Sequence, residues 1–323
     1  MSHRNLIVLA LFLLIQTPCY CWGFFGHRRI NGMAVFLLPP AMLALFKPSI
    51  GFLTDHAVDP DMRRYAVAEE GARHYIDIDR YGRFPFDSLP RGWTDAVARY
   101  TEDTLRQHGI LPWWVMVMKA RLTAAFREGD GPRILKLSAE IGHYIADAHV
   151  PLHACSNHNG QLTDQRGIHA FWESRVPELL ADSHWDFLIG RAVYLKAPSA
   201  LIWQRVLESA AAADTVLSVE KELSRRFSPD RRFAFEERNG KIVRQYSEAY
   251  TIAYDARLGG MVERRMRQAI QAVASFWYTA WVDAGQPDLG GLAGRPFSDA
   301  DQKAFEALDA AWRKGVVLGR GED

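Results

Sequence analysis

The sequence predicts an all-α fold, a multi-helix bundle with one small β-hairpin insertion. Two observations carry this expectation. Long segments repeat apolar residues at helical spacing, and one stretch alone, Arg232–Tyr246, alternates short runs around Asn239-Gly240. The chain has no internal repeat and no low-complexity block, so a repeat architecture is not expected.

Residues 1–21 read as a secretory signal peptide. His3 and Arg4 precede an apolar run, Leu6 to Ile15, that is too short to span a bilayer comfortably. Cys19 and Cys21 stand at the −3 and −1 positions of a cut before Trp22, so the expected product is exported, periplasmic or secreted, without a transmembrane anchor. Cleavage removes two of the three cysteines. The remaining Cys155 has no partner for an internal disulfide, so stability is expected from core burial and from metal.

Helices are expected over Gly26–Leu37, Thr94–His108, Pro112–Glu128, Pro132–His149, Ile168–Leu180, Ser199–Arg226 and Leu258–Ala284. Thr94 and Asp95 open the second of these and Gly109 follows its end. In the fourth, Ile134, Leu137, Ile141 and Ile145 form an apolar stripe, and Pro151 calls for an end or kink near residue 150. The hairpin reads as a surface insertion. A Gly/Pro-rich stretch, Gly285–Pro296, precedes a final amphipathic helix, Ser298–Arg313, where Ser298 and Asp301 resemble a capping box. The organisation expected is a signal peptide (1–21), one catalytic domain (22–284), and a linker with a C-terminal helix (285–323). The net charge of +1 provides no global steering toward nucleic acid or an anionic membrane.

The stretch from His143 to Glu173 holds five of the eleven histidines, with Asp147 and Glu173. His143 and Asp147 are four apart, as are His169 and Glu173, so on a helix each pair shares one face and can reach one ion. His153 follows just past Pro151. Imidazole and carboxylate suit zinc. The alternative is satisfied core histidines beside a solvated surface. Upstream, Asp59, Asp61 and His74 offer a second donor set, and Trp22, if it becomes the mature terminus, could chelate through its amine and carbonyl together with His27. Arg64, three residues after Asp61, suits a bidentate grip on phosphate.

Jointly these motifs resemble the superfamily of zinc-dependent phospholipases C and single-strand-specific zinc nucleases. They are an N-terminal Trp22 in WGFFGH, Asp61-x-x-Arg64, His74-Tyr75-Ile76-Asp77, His143-x3-Asp147-x5-His153 and His169-x3-Glu173. The resemblance covers most of Trp22 to about Arg175. It implies a helical fold and three zinc ions held by nine residues. One zinc would take Asp61, His74, His143 and Asp147; a second Trp22, His27 and the shared Asp147; a third His153, His169 and Glu173. Asp61 is preferred to Asp59 because it alone completes D-x-x-R.

The reaction implied is phosphodiester hydrolysis by metal-activated water, with Asp61, Arg64 and Asp147 at its centre. In the nuclease branch the aromatic after the histidine stacks on a base and the next acid hydrogen-bonds it, roles that fall to Tyr75 and Asp77. Glu173, where that branch has aspartate, and the short gap between His153 and His169 look like the phospholipase branch. The expected substrate is therefore single-stranded nucleic acid or nucleotides, with phospholipid headgroups as the alternative and a non-catalytic zinc-binding helical protein as a third possibility. No obligate protein partner is evident. Cys155 reads as a buried small residue, and His149 as a supporting hydrogen-bonding group for a ligand.

Overall fold

The computed structural model describes residues 23–238 and 240–320. The expected signal peptide and Trp22 lie outside the described residues.

The fold is all-α with one two-stranded hairpin. α1 (Gly23–Val35) is followed by three short helices, α2 (Pro40–Phe46), α3 (Ile50–Asp55) and α4 (Asp59–Arg63). α2 and α4 each carry proline in the first turn, where its missing N–H is no loss. α5 (Trp93–Tyr100) and α6 (Glu102–Gln107) stand where the sequence predicts one helix, Thr94–His108. Thr101 divides them: its φ of 66° is left-handed, and its hydroxyl caps α6 by accepting the Thr104 N–H. A polar cap residue inside an amphipathic pattern outweighs the periodicity around it.

α7 (Leu111–Glu128) and α8 (Gly131–Asp147) form an antiparallel pair across a two-residue link, where Asp130 caps α8 by accepting the Arg133 N–H. α8 is the central helix and packs against α1, α3, α7 and the long helix α14 (Met261–Asp283). Ile134, Ile141 and Ile145 are fully buried; beyond the expected stripe, every residue from Ser138 to Asp147 is buried. After a tight turn, Pro151–Ala154, the chain reaches α9 (Ile168–Ala170). This runs through a π turn, Phe171–Arg175, into α10 (Val176–His184), four residues beyond the expected end at Leu180.

α11 (Pro198–Ser224) covers the Pro151–Ala154 turn, and α12 (Pro229–Arg232) leads into the hairpin. β1 (Phe233–Arg238) and β2 (Lys241–Tyr246) pair antiparallel as expected. α13 (Glu248–Leu258) and α14 (Met261–Asp283) are separated by Gly259-Gly260, so the expected Leu258–Ala284 helix starts three residues later. α15 (Asp299–Lys314) begins as read from Ser298, whose hydroxyl accepts the Asp301 N–H at 3.1 Å. It packs on α4. None of the helices among the described residues is long and apolar enough to cross a membrane.

Candidate metal centre

α1, α4, the segment after α4 and α8 converge on one buried cluster. His27 comes from α1, Asp61 from α4, His74 from the loop, and His143 and Asp147 from one face of α8. Donor atoms of His27, Asp61 and His143 lie within 4.8 Å of one another, as do those of His74, His143 and Asp147. Asp147 reaches both sides of this cluster: its Oδ2 is 3.0 Å from His74 Nδ1, and its Oδ1 is 3.5 Å from His27 Nε2. Asp59 is not part of it, for its Oδ2 engages His56 at 2.8 Å. Asp61 faces inward, 3.5 Å from His143 Nε2.

A second cluster joins His153, from the turn after α8, to His169 and Glu173 on the helix that begins at α9. Their donor atoms also fall within 4.8 Å of one another. Asn159 Oδ1 accepts the Gly167 N–H at 2.9 Å and so fixes the start of that helix. Glu173 sits within the π turn, with Oε2 3.1 Å from His169 Nε2 and 3.5 Å from His153 Nε2.

The histidines are oriented from behind. His143 Nδ1 donates to the Ala57 carbonyl at 2.9 Å, His153 Nδ1 to that of His74 at 2.6 Å, and His169 Nδ1 to that of His158 at 2.9 Å. A carbonyl only accepts, so each of these Nδ1 atoms carries a proton and each Nε2 is turned to its cluster, where it can give a lone pair once it is free of a proton. In that state His153 and His169 point two lone pairs at each other across 3.1 Å. That contact is repulsive unless a cation or a proton lies between them. His74 is turned the other way: Nε2 faces Glu70 Oε1 at 3.5 Å, and Nδ1 looks into the cluster.

Polar atoms are left over on the inner side. His27 Nδ1 and Nε2, both oxygens of Asp61, Asp147 Oδ1 and both oxygens of Glu173 are buried with no hydrogen-bonding partner among the described residues. Burying such groups unsatisfied costs about 1–3 kcal/mol each, and more for charged ones. A set of imidazole nitrogens and carboxylate oxygens with this deficit fits a divalent cation of the zinc type.

The proton distribution points the same way. Burial pushes the Asp61 carboxyl up to about 6, against the pull of His143 and His74. Burial acts on Asp147 in that direction too, but His143, His153 and hydrogen bonds from His143 and His74 outweigh it and hold Asp147 well below the usual range. His143 is raised to about 9, because Asp147 and Asp61 overcome burial. Burial and His143 push His27, whose ring stacks on that of His143 at 3.7 Å, well below its ordinary value. A cation arriving among these acids would compete with the protons held there.

His74 of the first cluster and His153 and His169 of the second line one pocket, together with Arg64, Tyr75 and Arg320. Arg64 is buried there, with Nη2 donating to the Arg320 carbonyl at 2.8 Å. Its neighbour Arg63 points away, to Glu140 and Tyr144. Asp77 is also buried, and Arg320 Nη1 donates to both its oxygens at 2.9 Å while the guanidinium lies over the Tyr75 ring.

The sequence missed Glu70 and Arg320. Glu70 stands four residues before His74, a spacing that could have flagged it. It is fully buried among His74, Tyr144, Arg63 and Arg73. His149 does not support a ligand in the expected way. Just past the end of α8, its Nδ1 donates to the Ile145 carbonyl in the last turn of that helix, while its backbone carbonyl accepts from Arg265. Cys155 is buried as expected, and burial pushes its thiol up to about 12, which leaves it inert. Comparisons of the chain with protein-family models, curated proteins and solved structures return no match.

Proposed function

We propose that the chain is a zinc-dependent phosphoesterase of the nuclease type, hydrolysing phosphodiester bonds in single-stranded nucleic acid or nucleotides. The observation that carries this reading is the rear-side fixing of the histidines, which turns their Nε2 atoms toward buried, unsatisfied carboxylate oxygens beside a pocket that His74, His153 and His169 line. Ion-binding sites need that orientation; structural histidines do not. Trp22, freed by export, would complete the set with its amine and carbonyl next to His27.

Divalent cations bound here would supply Lewis acidity and lower the pKa of water toward neutrality. The chain's own residues do the rest. Asp147 ties the His27 and His74 sides of the first cluster together and holds their donors in one place. Arg64, the buried cation of the pocket wall, would receive a phosphoryl oxygen and stabilise charge gathering on it. Tyr75 offers a ring face and Asp77 a hydrogen-bond acceptor for a base, which favours the nuclease branch over headgroup cleavage, a reaction that has no need of a planar seat.

The test pairs two substrates. Zinc-reconstituted protein should cleave single-stranded nucleic acid, lose that activity in EDTA, and leave phospholipid vesicles intact. Asp147→Asn, folded by circular dichroism, should abolish turnover. Headgroup release without nuclease activity would move the assignment to the lipase branch, and a zinc-loaded protein inert on both substrates would end the catalytic reading.

A further inference from the structure

α15 ends at Lys314, and the largely exposed segment after it brings Arg320 to the wall of the pocket. Its path is fixed at several points. α15 is anchored by Lys136 bonding Asp301 at 3.0 Å and by Phe305 beside Phe52 and His56. Beyond it, the Leu318 N–H donates to the Arg64 carbonyl at 2.8 Å. Gly319 adopts a φ of +89°, a left-handed conformation that an L side chain adopts only with strain, and this turns Arg320 over the site.

Arg320 then makes three contacts with groups that the mechanism assigns to substrate. Its guanidinium carbon is 3.9 Å from the centroid of the Tyr75 ring. Its Nη1 donates to both Asp77 oxygens at 2.9 Å. Its carbonyl accepts from Arg64 Nη2 at 2.8 Å. A flat, delocalised group stacked on an aromatic ring and donating to a carboxylate is the arrangement a nucleobase with a donor edge would make. The guanidine unit is chemically the N–C–N edge of guanine.

We propose that residues 315–320 form a pseudosubstrate strap, in which Arg320 occupies the planar-ligand seat formed by Tyr75 and Asp77 and must leave before a base can enter. The proposal rests on the base-binding roles given to Tyr75 and Asp77 above. Arg320 is a competitor for that seat and takes no part in the chemistry. The strap raises the apparent KM for base-bearing substrates and leaves kcat unchanged.

The experiment uses the full chain with 15N-labelled arginine and guanosine as the probe. Arg320→Lys assigns the Arg320 Nε–Hε resonance. In the unliganded protein this resonance should sit away from the position of free arginine, and Asp77→Asn should move it there. Guanosine should move it there as well, on saturation. Arg320→Ala should bind guanosine about three- to tenfold more tightly, since removing a competitor restores the binding-competent fraction. KM for a dinucleotide should fall by the same factor.

A free-like Arg320 resonance at the outset overturns the proposal. So does millimolar guanosine that leaves the resonance in place, or weaker guanosine binding in Arg320→Ala. The phosphoesterase reading fails separately: displacement by guanosine in a zinc-loaded protein with no hydrolysis keeps the strap and removes the reaction. Vesicle hydrolysis with Arg320 undisturbed by guanosine does the reverse.

Discussion

Gly142→Ala tests how the two helices that carry His27 and His143 are held together. Asn31 of α1 is buried between helices, and its Nδ2 donates to the Leu53 carbonyl at 3.2 Å and to the Ala139 carbonyl at 3.0 Å. It thereby stitches α1 to α3 and α8. A methyl group on Gly142 would overlap Asn31 Oδ1 outright, with Cγ at 2.9 Å and Nδ2 at 3.1 Å. Asn31 would have to swing away. Losing its two hydrogen bonds costs about 2 kcal/mol, at about 1 each. Repacking a close helix contact adds about 1–3 kcal/mol. Alanine offsets about 1 kcal/mol of this through its better helix propensity. The net expectation is a destabilisation of about 2–4 kcal/mol, measured by urea unfolding with zinc and again with EDTA.

The same argument predicts strong coupling. In an Asn31→Ala background the methyl group has room, so Gly142→Ala should cost less than about 1 kcal/mol. Zinc binding reports the shift independently, because His27 stands one turn before Asn31 and its ring stacks on that of His143. Affinity at the site sharing His27 should fall roughly tenfold. Additive costs in the double-mutant cycle, agreeing within about 0.5 kcal/mol, would refute the reasoning.

Arg64→Ala should lower kcat/KM by about 10²–10³-fold while zinc content, read by metal analysis, stays at the wild-type level. Arg64→Lys should recover little, since it lacks the planar fork; equal loss of metal and turnover would remove Arg64 from its assigned role. Glu70→Gln makes a prediction about pH. Burial raises the Glu70 carboxyl, but the hydrogen bond with His74 and the charges of His74, Arg63 and Arg73 outweigh it and leave the group at about 2, below its ordinary 4.5. A depressed folded-state value means stability that is present above about 4.5 and lost as pH falls through about 2. The stability gap between wild type and Glu70→Gln, measured by urea unfolding in EDTA, should close as pH falls from 5 toward 2. A gap that persists at pH 2 contradicts the charge origin.

Local chemistry was legible in the sequence where it is confined to one element. His143 and Asp147 share a face of α8, and the Asn239-Gly240 signal sits between two paired strands. Asp61 aims at His143 and Asp59 contacts His56. Tertiary information was not legible. The acceptors that orient His143, His153 and His169 are backbone carbonyls, which leave no trace in residue identity. Arg320 is separated from Asp77 by most of the chain, and a lone arginine near a terminus carries no signal of its own. Thr101 hid a helix break because a cap and a helical polar residue look alike until the backbone is known.

Glu173 is the residue that set the sequence between two enzyme branches, and its surroundings give it a local reason. The helix carrying His169 and Glu173 is a plain α-turn only as far as Ala170, and Glu173 lies in a π turn. A π turn inserts an extra residue per turn and shifts the backbone that carries the second ligand relative to the first. The carboxylate must still meet His169 Nε2 and His153 Nε2, which it approaches to 3.1 and 3.5 Å. Glutamate, one methylene longer than aspartate, has the reach for that. Its identity then follows from the shape of the helix and says nothing about whether a base or a lipid headgroup enters the pocket. On the proposed function, discrimination would pass to the pocket wall, where Tyr75 and Asp77 are engaged by a flat cation from the same chain. If that wall selects substrate, Asp77→Ala should impair cleavage of base-bearing substrates, whereas Glu173→Asp should act through metal retention on every substrate alike.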